Sequence, residues 1–589
     1  MSRVVWAIAV LLSLFHLYTA AFGVLAPPLQ RGVHLAGILA LAFLLPTGDV
    51  KRGRLRLTLD IVFAVLSVWI GMFLAWNWTD LETRVGNYNI LDSLTAAAAV
   101  LVSLEAARRL MGRPMVIVCG VILGYGLWGN WVPGTLGHKG FTWRQIVEHS
   151  YWSGEGLTGI PIGVSSTFVF IFILLSAILN VSGIGQYLID LTLGMVGRRR
   201  GGAAHASILA SSLFGMISGS STANALTTGT FTVPLMKSAG YPSRIAGAVE
   251  AVASSGGQLM PPVMGASAFI MAEFLGVSYF RIALAAAVPA VLLYAHLWLS
   301  VTYETRHLGL SAIATERLPK FRSLVTRLYF LIPFVSVVYF LFTGSSPMQV
   351  GYYTILTTLV ILLPTKANLR GLRDLVSALE DGARSAVPIG VACAAAGVIV
   401  GVISLTGLGL KLANSFYELS FGNVWAALVL TAIASIVLGT ALPTTATYIV
   451  LASTVAPGLA LFGIPPIAAH LFIFYYGVLG DLTPPEMITV YVSAGLAKAD
   501  PMEVAVDALR LGLSGFVVPF AFAVNPELLL LSHSIPQALQ AAMMIGVSAL
   551  GLSAGCVGYW RRRLHPVERI VLLLCAAIRR RRPTREEEP

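Results

Sequence analysis

Charge is what this chain has least of. Only 11% of its 589 residues are Asp, Glu, Lys or Arg, against about 25% in a soluble domain. A surface held in water by charge is therefore excluded. Cysteine is nearly absent: Cys119, Cys393, Cys556 and Cys575 stand singly in apolar stretches. No C-x-x-C occurs, so neither a zinc site nor a disulfide framework is indicated. The P-loop pattern G-x-x-x-x-G-K-[ST] is missing as well, so ATP is not expected to bind. No cluster of His, Asp or Ser has the spacing of an intramembrane enzyme. No continuous polar stripe runs along the sequence as a channel would need.

What is present is apolar. Hydrophobic residues make up 57% of the chain and the mean hydropathy is +0.81. Runs of about 20 apolar residues recur throughout, the length that a hydrocarbon core of about 30 Å demands of a helix. The fold class is all-α integral membrane, with membrane lipid as solvent. The net charge of +12 reads as basic loops held on the cytoplasmic side rather than as a nucleic-acid surface. Residues 1–22 resemble a signal peptide, but they read as a retained first helix because the rest of the chain is membranous too.

Candidate spans in the first block lie near 3–22, 33–48, 58–77, 91–110 and 114–132. Segment 91–110 is ambiguous: it carries Glu105, Arg108 and Arg109 and is either a crossing or an interfacial amphipathic arm. A loop rich in Trp, Gly and polar residues covers 134–160. Then come a span at 161–181, a short segment at 184–197, and two pieces, 203–218 and 225–236, too short to cross alone. They read as the arms of a re-entrant hairpin. A broken helix follows at 243–255 and 263–275, then full spans at 279–302, 324–343 and 349–364. The second half repeats the pattern: span 386–404, short segment 408–420, hairpin arms 423–438 and 446–460, broken helix 467–479 and 486–497, and spans at 507–524 and 538–560. The tail, with Arg579 to Arg582, reads as a cytoplasmic and poorly ordered end.

The echo between halves is specific. Gly219-Ser220-Ser221-Thr222-Ala223-Asn224 is followed by Gly257-Gln258-Leu259-Met260-Pro261-Pro262, and Gly439-Thr440-Ala441-Leu442-Pro443-Thr444-Thr445 by Gly480-Asp481-Leu482-Thr483-Pro484-Pro485. Pro161-Ile162-Gly163-Val164 recurs as Pro388-Ile389-Gly390-Val391, and Ser182-Gly183-Ile184-Gly185 as Thr406-Gly407-Leu408-Gly409. With Met1 inside and one crossing per span, only Arg31, Arg84, Lys139, Arg144, Arg281 and Lys411 fall outside, leaving 39 − 6 = 33 Lys and Arg inside or at the inner boundary. The same count puts Pro161 outside and Pro388 inside, so the halves are inverted. Inverted repeats with discontinuous helices mark secondary transporters whose sites lie near the midplane.

The chemistry of the breaks fits that reading. Unwound backbone in hydrocarbon costs several kcal/mol or so per unpaired group unless something satisfies it. Carbonyls and hydroxyls suit a hard cation such as Na⁺, and Ser220, Ser221, Asn224, Thr440, Thr444 and Thr445 supply side-chain oxygens. Helix N-termini that begin at the tips suit a carboxylate. The bland alternative is packing through small residues. Asp481, Glu486, Glu250 and Glu273 lie in or near the breaks. Asp481 reads as a proton carrier, a helper of the ion site or a helix cap. His205 and His470 read as packed, hydrogen-bonded residues.

The four breaks, with Gly229-Thr230-Phe231-Thr232-Val233-Pro234-Leu235-Met236 and Gly247-Ala248-Val249-Glu250-Ala251-Val252-Ala253-Ser254-Ser255-Gly256, resemble the fused membrane permease of tripartite ATP-independent periplasmic (TRAP) transporters. The match covers about residues 155–500, and the first hairpin is similar to the TAXI subgroup. The resemblance implies an elevator-type transporter with no cofactor, driven by Na⁺ or by H⁺. It implies a soluble periplasmic binding protein as partner and a small carboxylate as substrate. It implies a multi-pass protein of the bacterial inner membrane, with both termini cytoplasmic. Residues 1–140 would be a small scaffold domain. Residues 141–530 would be the transport domain, with repeats at about 155–300 and 380–525. Residues 531–589 would be a C-terminal helix and basic tail. Carried over residue by residue, cation sites fall on Ser220, Ser221, Asn224, Gly257 and Pro261, and on Gly439, Thr440, Thr444, Thr445, Gly480 and Thr483. Substrate contacts fall on Thr222, Gln258, Pro443 and Asp481. The alternative is a stand-alone ion-coupled anion symporter that needs no binding protein.

Overall fold

The computed structural model describes residues 2–46, 53–312, 318–362, 372–531 and 535–577. Among these the chain is built from helices, with a single isolated bridge between Tyr559 and Arg563. Eight of the described helices are long and apolar enough to cross a bilayer, which makes this a multi-pass membrane protein. The basic tail at Arg579 to Arg582 lies outside the described residues.

The N-terminal block contains α1 (Ser2–Phe22), α2 (Pro27–Leu44), α3 (Arg54–Thr83), α4 (Ile90–Met111) and α5 (Arg113–Trp128). Helices α2 and α3 touch backbone to backbone: a Cβ on Gly32 would overlap the Gly71 carbonyl oxygen, and one on Gly71 the Gly32 carbonyl oxygen. Small residues permit this approach in a membrane, where no hydrophobic force drives helices together. The ambiguous 91–110 stretch is α4, a 22-residue helix of crossing length. Of its charges Arg109 is drawn into the bundle, pairing with Glu105 at 2.7 Å and with Asp60 of α3, while Arg108 stays half exposed.

The 134–160 region is not only loop. It holds α6 (Trp143–Trp152), started by a capping box in which Thr142 and Gln145 close on each other's backbone. The T-x-x-Q pattern was the signal for it. Tyr151 ties α6 to α3 by donating to the Ile70 carbonyl at 2.6 Å.

The repeat is visible element by element. The first half runs α7 (Ile160–Val181), α8 (Ile184–Val196), hairpin arms α9 (Gly202–Ser218) and α10 (Ser221–Ser238), broken helix α11 (Ser243–Gly257) and α12 (Ala266–Leu275), and α13 (Tyr279–His307). Helices α14 (Leu328–Phe342) and α15 (Pro347–Leu362) connect the halves. The second half runs α16 (Leu372–Thr406), α17 (Leu408–Leu419), hairpin arms α18 (Val424–Gly439) and α19 (Thr444–Thr454), broken helix α20 (Pro466–Leu479) and α21 (Ile488–Ala497), and α22 (Pro501–Val524). The echoed glycines have one cause in both halves. Gly183 at the α7–α8 turn and Gly407 at the α16–α17 turn sit at φ +80° and +66°, left-handed values that a side chain resists.

Three differences from the sequence reading stand out. Helix α16 begins at Leu372, 14 residues before the expected span at 386 (386 − 372), and is 35 residues long. Its added turns are polar and held by the Glu380–Arg384 pair at 2.5 Å, so hydropathy alone did not mark them. Pro388 therefore lies inside a helix, whereas its echo Pro161 lies at a helix start. Beyond α23 (Ile535–Val557), the tail contains α24 (Pro566–Ala577). That helix opens where the His565 N–H donates to Glu568 at 2.8 Å.

The two halves interlock. Helix α10 of the first hairpin packs on α21 of the second broken helix, and α11 packs on α9, α10 and α21. Helix α12 packs on α19 and α20. The N-terminal block rests mainly on α16, which contacts α1, α2, α4, α5 and α6.

Candidate ion and substrate site at four helix breaks

The first hairpin turns on two residues. Helix α9 ends because Gly219 takes φ +60°, and a Cβ there would overlap the Met264 carbonyl oxygen. Ser220 then caps α10, its Oγ accepting from the Ala223 N–H at 3.3 Å. Ser221 and Thr222 open α10. Asn224, fully buried, donates from Nδ2 to the Ser211 carbonyl at 2.8 Å, and its Oδ1 lies 3.3 Å from Thr228 Oγ1.

The first broken helix stops at Gly257. A Cβ on Gly257 would stand 2.8 Å from Asn224 Nδ2 and 2.9 Å from Gly215 Cα, so hairpin and broken helix meet as bare backbone. Gln258 follows, then the cis Pro261–Pro262 bond. Met264 sits at φ +59° before α12 begins. The second half matches this, with a cis Pro484–Pro485 bond and Met487 at φ +23°, 487 − 264 = 223 residues on. Left-handed backbone at a non-glycine residue costs of order 1–3 kcal/mol and persists only where packing enforces it. Finding it twice at equivalent places marks both breaks as built features.

The second hairpin meets its own break in the same way. A Cβ on Gly480 would lie 2.8 Å from the carbonyl carbon and oxygen of Gly439. Thr483 donates to the Gly480 carbonyl at 3.2 Å. Thr440 donates back into its own arm, to the Val437 carbonyl at 2.9 Å. Pro443 caps α19, and Thr444 and Thr445 form its first turn.

Asp481 joins the halves. Its Oδ2 accepts from Ser221 Oγ at 2.6 Å and from Gln258 Nε2 at 2.9 Å. The first hairpin tip, the first break and the second break thus converge on one carboxylate. Asp481 accepts from the other half rather than closing its own helix, which sets the helix-cap reading aside. Ser221, Gln258 and Asp481 come together across the halves. Asn224 joins Gly257 within the first, and Gly439 joins Gly480 within the second. Thr222, Pro443, Thr444 and Thr445 lie around the tips.

Helices α10, α12, α19 and α21 all start at these breaks, and their first N–H groups have no partner within the helix. Carbonyls that turn out of the ladder, hydroxyls and free N–H ends therefore share one region. Such an arrangement can hold a small cation and a carboxylate side by side.

The sequence of residues 98–537 matches the profile of the tripartite ATP-independent periplasmic transporter, DctM component. The chain belongs to that family. Its working parts are those of a transport permease, not of an enzyme.

Among its relatives, a TRAP transporter large permease protein assigned in Haemophilus influenzae is 24% identical over 425 residues, 71% of this chain and 93% of that one. The sialic acid TRAP transporter large permease SiaM of Vibrio cholerae is 24% identical over 362 residues, 61% of this chain and 84% of that one. The C4-dicarboxylate TRAP transporter large permease DctM of Pseudomonas aeruginosa is 24% identical over 327 residues, 55% of this chain and 76% of that one.

Within this DctM-type permease His205 and His470 are packed. His205 lies 3.0 Å from Thr302 Oγ1, and His470 Nδ1 lies 2.7 Å from Tyr448 Oη. The sequence singled out Glu250 but not its surroundings: Ser207, Ser211, Thr228, Thr232 and Ser254 all donate to it. The missed signal was spacing. Each pair, 207/211 and 228/232, is four residues apart and so shares one helix face.

Proposed function

We propose that this permease carries out secondary active uptake of a small carboxylate, an organic acid or an amino acid. The substrate is handed over by a soluble periplasmic binding protein, and a Na⁺ or H⁺ gradient drives the step. The observation that carries the reading is Asp481 accepting from Ser221 and Gln258 where the breaks meet, beside bare backbone at Gly257 and Gly480. The cation is held by carbonyls and hydroxyls around Ser220, Ser221, Asn224, Gly257 and Pro261, and around Gly439, Thr440, Thr444, Thr445, Gly480 and Thr483. The substrate carboxylate faces the starts of α10 and α19, near Thr222, Gln258, Pro443 and Asp481. Relatives named for sialic acid and C4-dicarboxylates support an acid as cargo.

In this reading residues 1–140 are a scaffold and residues 141–530 carry the transport core, which slides as an elevator. The packing of the N-terminal block mainly on α16 supports that division. Both termini lie in the cytoplasm of a bacterial inner membrane.

The test is uptake of labelled acids into proteoliposomes, with Na⁺ and pH gradients imposed separately, with and without any secreted binding protein found encoded beside this chain. Cation-dependent uptake that requires the binding protein is expected. Uptake with no soluble partner would replace this reading by a stand-alone symporter. Asn224→Ala and Thr445→Ala should each weaken the cation dependence while insertion stays intact. Unchanged dependence in both would sink the site assignment.

A further inference from the structure

Glu250 lies on α11, seven residues before Gly257, and none of its surface is exposed. Five hydroxyls enclose its carboxylate. Ser207 and Thr232 donate to Oε2 at 2.8 and 2.6 Å. Ser211, Thr228 and Ser254 donate to Oε1 at 3.0, 2.6 and 3.0 Å. An ionised carboxylate offers about four lone-pair sites, so five hydroxyls are more than enough to occupy them. The shell is also neutral. Among the described residues, no Lys, Arg or His forms an ion pair with Glu250. The carboxylate is thus solvated by protein hydroxyls and, among the described residues, has no Lys, Arg or His as partner.

The cage is wired to the first junction. Thr228 Oγ1 lies 3.3 Å from Asn224 Oδ1 and 2.9 Å from the Asn224 carbonyl, and Ser211 Oγ lies 3.0 Å from Thr228 Oγ1. Asn224 in turn holds the Ser211 carbonyl and abuts Gly257. One hydroxyl separates the carboxylate from the residues that wall the junction.

The second half shows that the fold does not need this charge. Gly257 and Pro261 recur as Gly480 and Pro484 at an offset of 223. The same offset puts Ile473 opposite Glu250 (473 − 250 = 223). Between the equivalent hairpin arm and broken helix, a single Tyr448–His470 hydrogen bond of 2.7 Å stands instead. Both halves form a hairpin and a broken helix, but only the first carries an acid at this position; the acid of the second break, Asp481, stands next to Gly480 and accepts from Ser221 and Gln258 of the first half.

We propose that Glu250 is a fixed counter-charge for the coupling cation at the first-half junction, acting in addition to Asp481, which reaches Ser221 from the second break. It is a positioning residue that acts through Thr228 and Asn224 and does not ligate the ion. Coulomb attraction is weakly screened in a low-dielectric interior, and an arriving cation neutralises a charge that otherwise has no partner. The inference rests on the proposed cation coupling and deepens it.

The test is Na⁺ binding to the purified full chain in lipid nanodiscs, followed by radioactive sodium and by the Na⁺-induced thermal shift. Glu250→Gln keeps the size and removes the charge. It is expected to weaken Na⁺ binding by about tenfold or more while unfolding in Na⁺-free buffer at the parent's temperature or above. Glu250→Asp keeps the charge and disturbs the cage, and is expected to stay within about threefold of the parent. Parent-like Na⁺ binding by Glu250→Gln overturns the inference, and so does loss in Glu250→Asp equal to that in Glu250→Gln. If Glu250→Gln does not insert, an inserted Glu250→Asp with parent-like affinity supports the inference. Failure of both to insert makes Glu250 a folding residue and overturns it. A parent that binds no Na⁺ removes the sodium reading itself, an outcome distinct from the others.

Discussion

Asp481 Oδ2 accepts from Ser221 Oγ at 2.6 Å, joining residues 260 apart in sequence and in opposite halves of the repeat. Hydrogen bonds to a charged acceptor contribute about 1.5–3 kcal/mol. Ser221→Ala should therefore lower the thermal stability of the purified permease and slow uptake. A double-mutant cycle with Asp481→Asn should show a coupling of about 1–2 kcal/mol. Additive effects would mean that the two residues do not act as a pair.

The contact of Gly439 with Gly480 admits no side chain. A Cβ on Gly480 meets main-chain atoms at 2.8 Å, and backbone cannot swing aside as a side chain can. Gly480→Ala is expected to abolish transport or to reduce folded yield. Gly495 on α21 is the control, with nothing within 4 Å of its Cβ position. Gly495→Ala should be neutral, or stabilising by about 0.5–1 kcal/mol. Uptake and thermal unfolding of both variants, side by side, check this.

Arg109 pins α4 against α3. Its side chain is 12% exposed, pairs with Asp60 and Glu105, and lies over the rings of Phe43 at 4.8 Å and Phe63 at 5.4 Å. Removing one partner of such a buried pair costs about 3–5 kcal/mol. Arg109→Ala should fall in that range. Arg109→Lys should be intermediate, because an ammonium lacks the planar fork that pairs and stacks together. Denaturation in detergent micelles measures both.

His34 is the middle of a buried polar chain. It lies 2.9 Å from His16 Nε2 on α1 and 2.9 Å from Ser165 Oγ at the π turn of α7. His34→Ala deprives both neighbours of a partner, at about 1–3 kcal/mol each. Ser165→Ala should cost roughly half as much as His34→Ala. Hydrogen exchange along α1 should rise in His34→Ala, and an unchanged exchange rate there would contradict this anchoring role.

Much of the architecture was legible because membrane sequences state their elements plainly. The first hairpin arm was read as 203–218 and is Gly202–Ser218; the second broken helix was read from 467 and starts at Pro466. Apolar runs bounded by Gly, Pro and hydroxyl residues leave few options, since backbone in lipid must pair internally. Where elements were polar the reading failed. The first turns of α16, the capped helix α6 and the tail helix α24 are held by ion pairs and caps that hydropathy does not register.

The sequence by itself determined that the chain lives in a membrane, that its two halves are copies, and that four breaks interrupt them in a fixed order. These follow from local composition and spacing. Only the tertiary structure decided which break touches which, that Asp481 serves the opposite half, and that Glu250 is held by hydroxyls with no Lys, Arg or His paired to it among the described residues. Contacts between residues hundreds of positions apart depend on how helices pack, and no periodicity along one helix encodes which face of another it will meet.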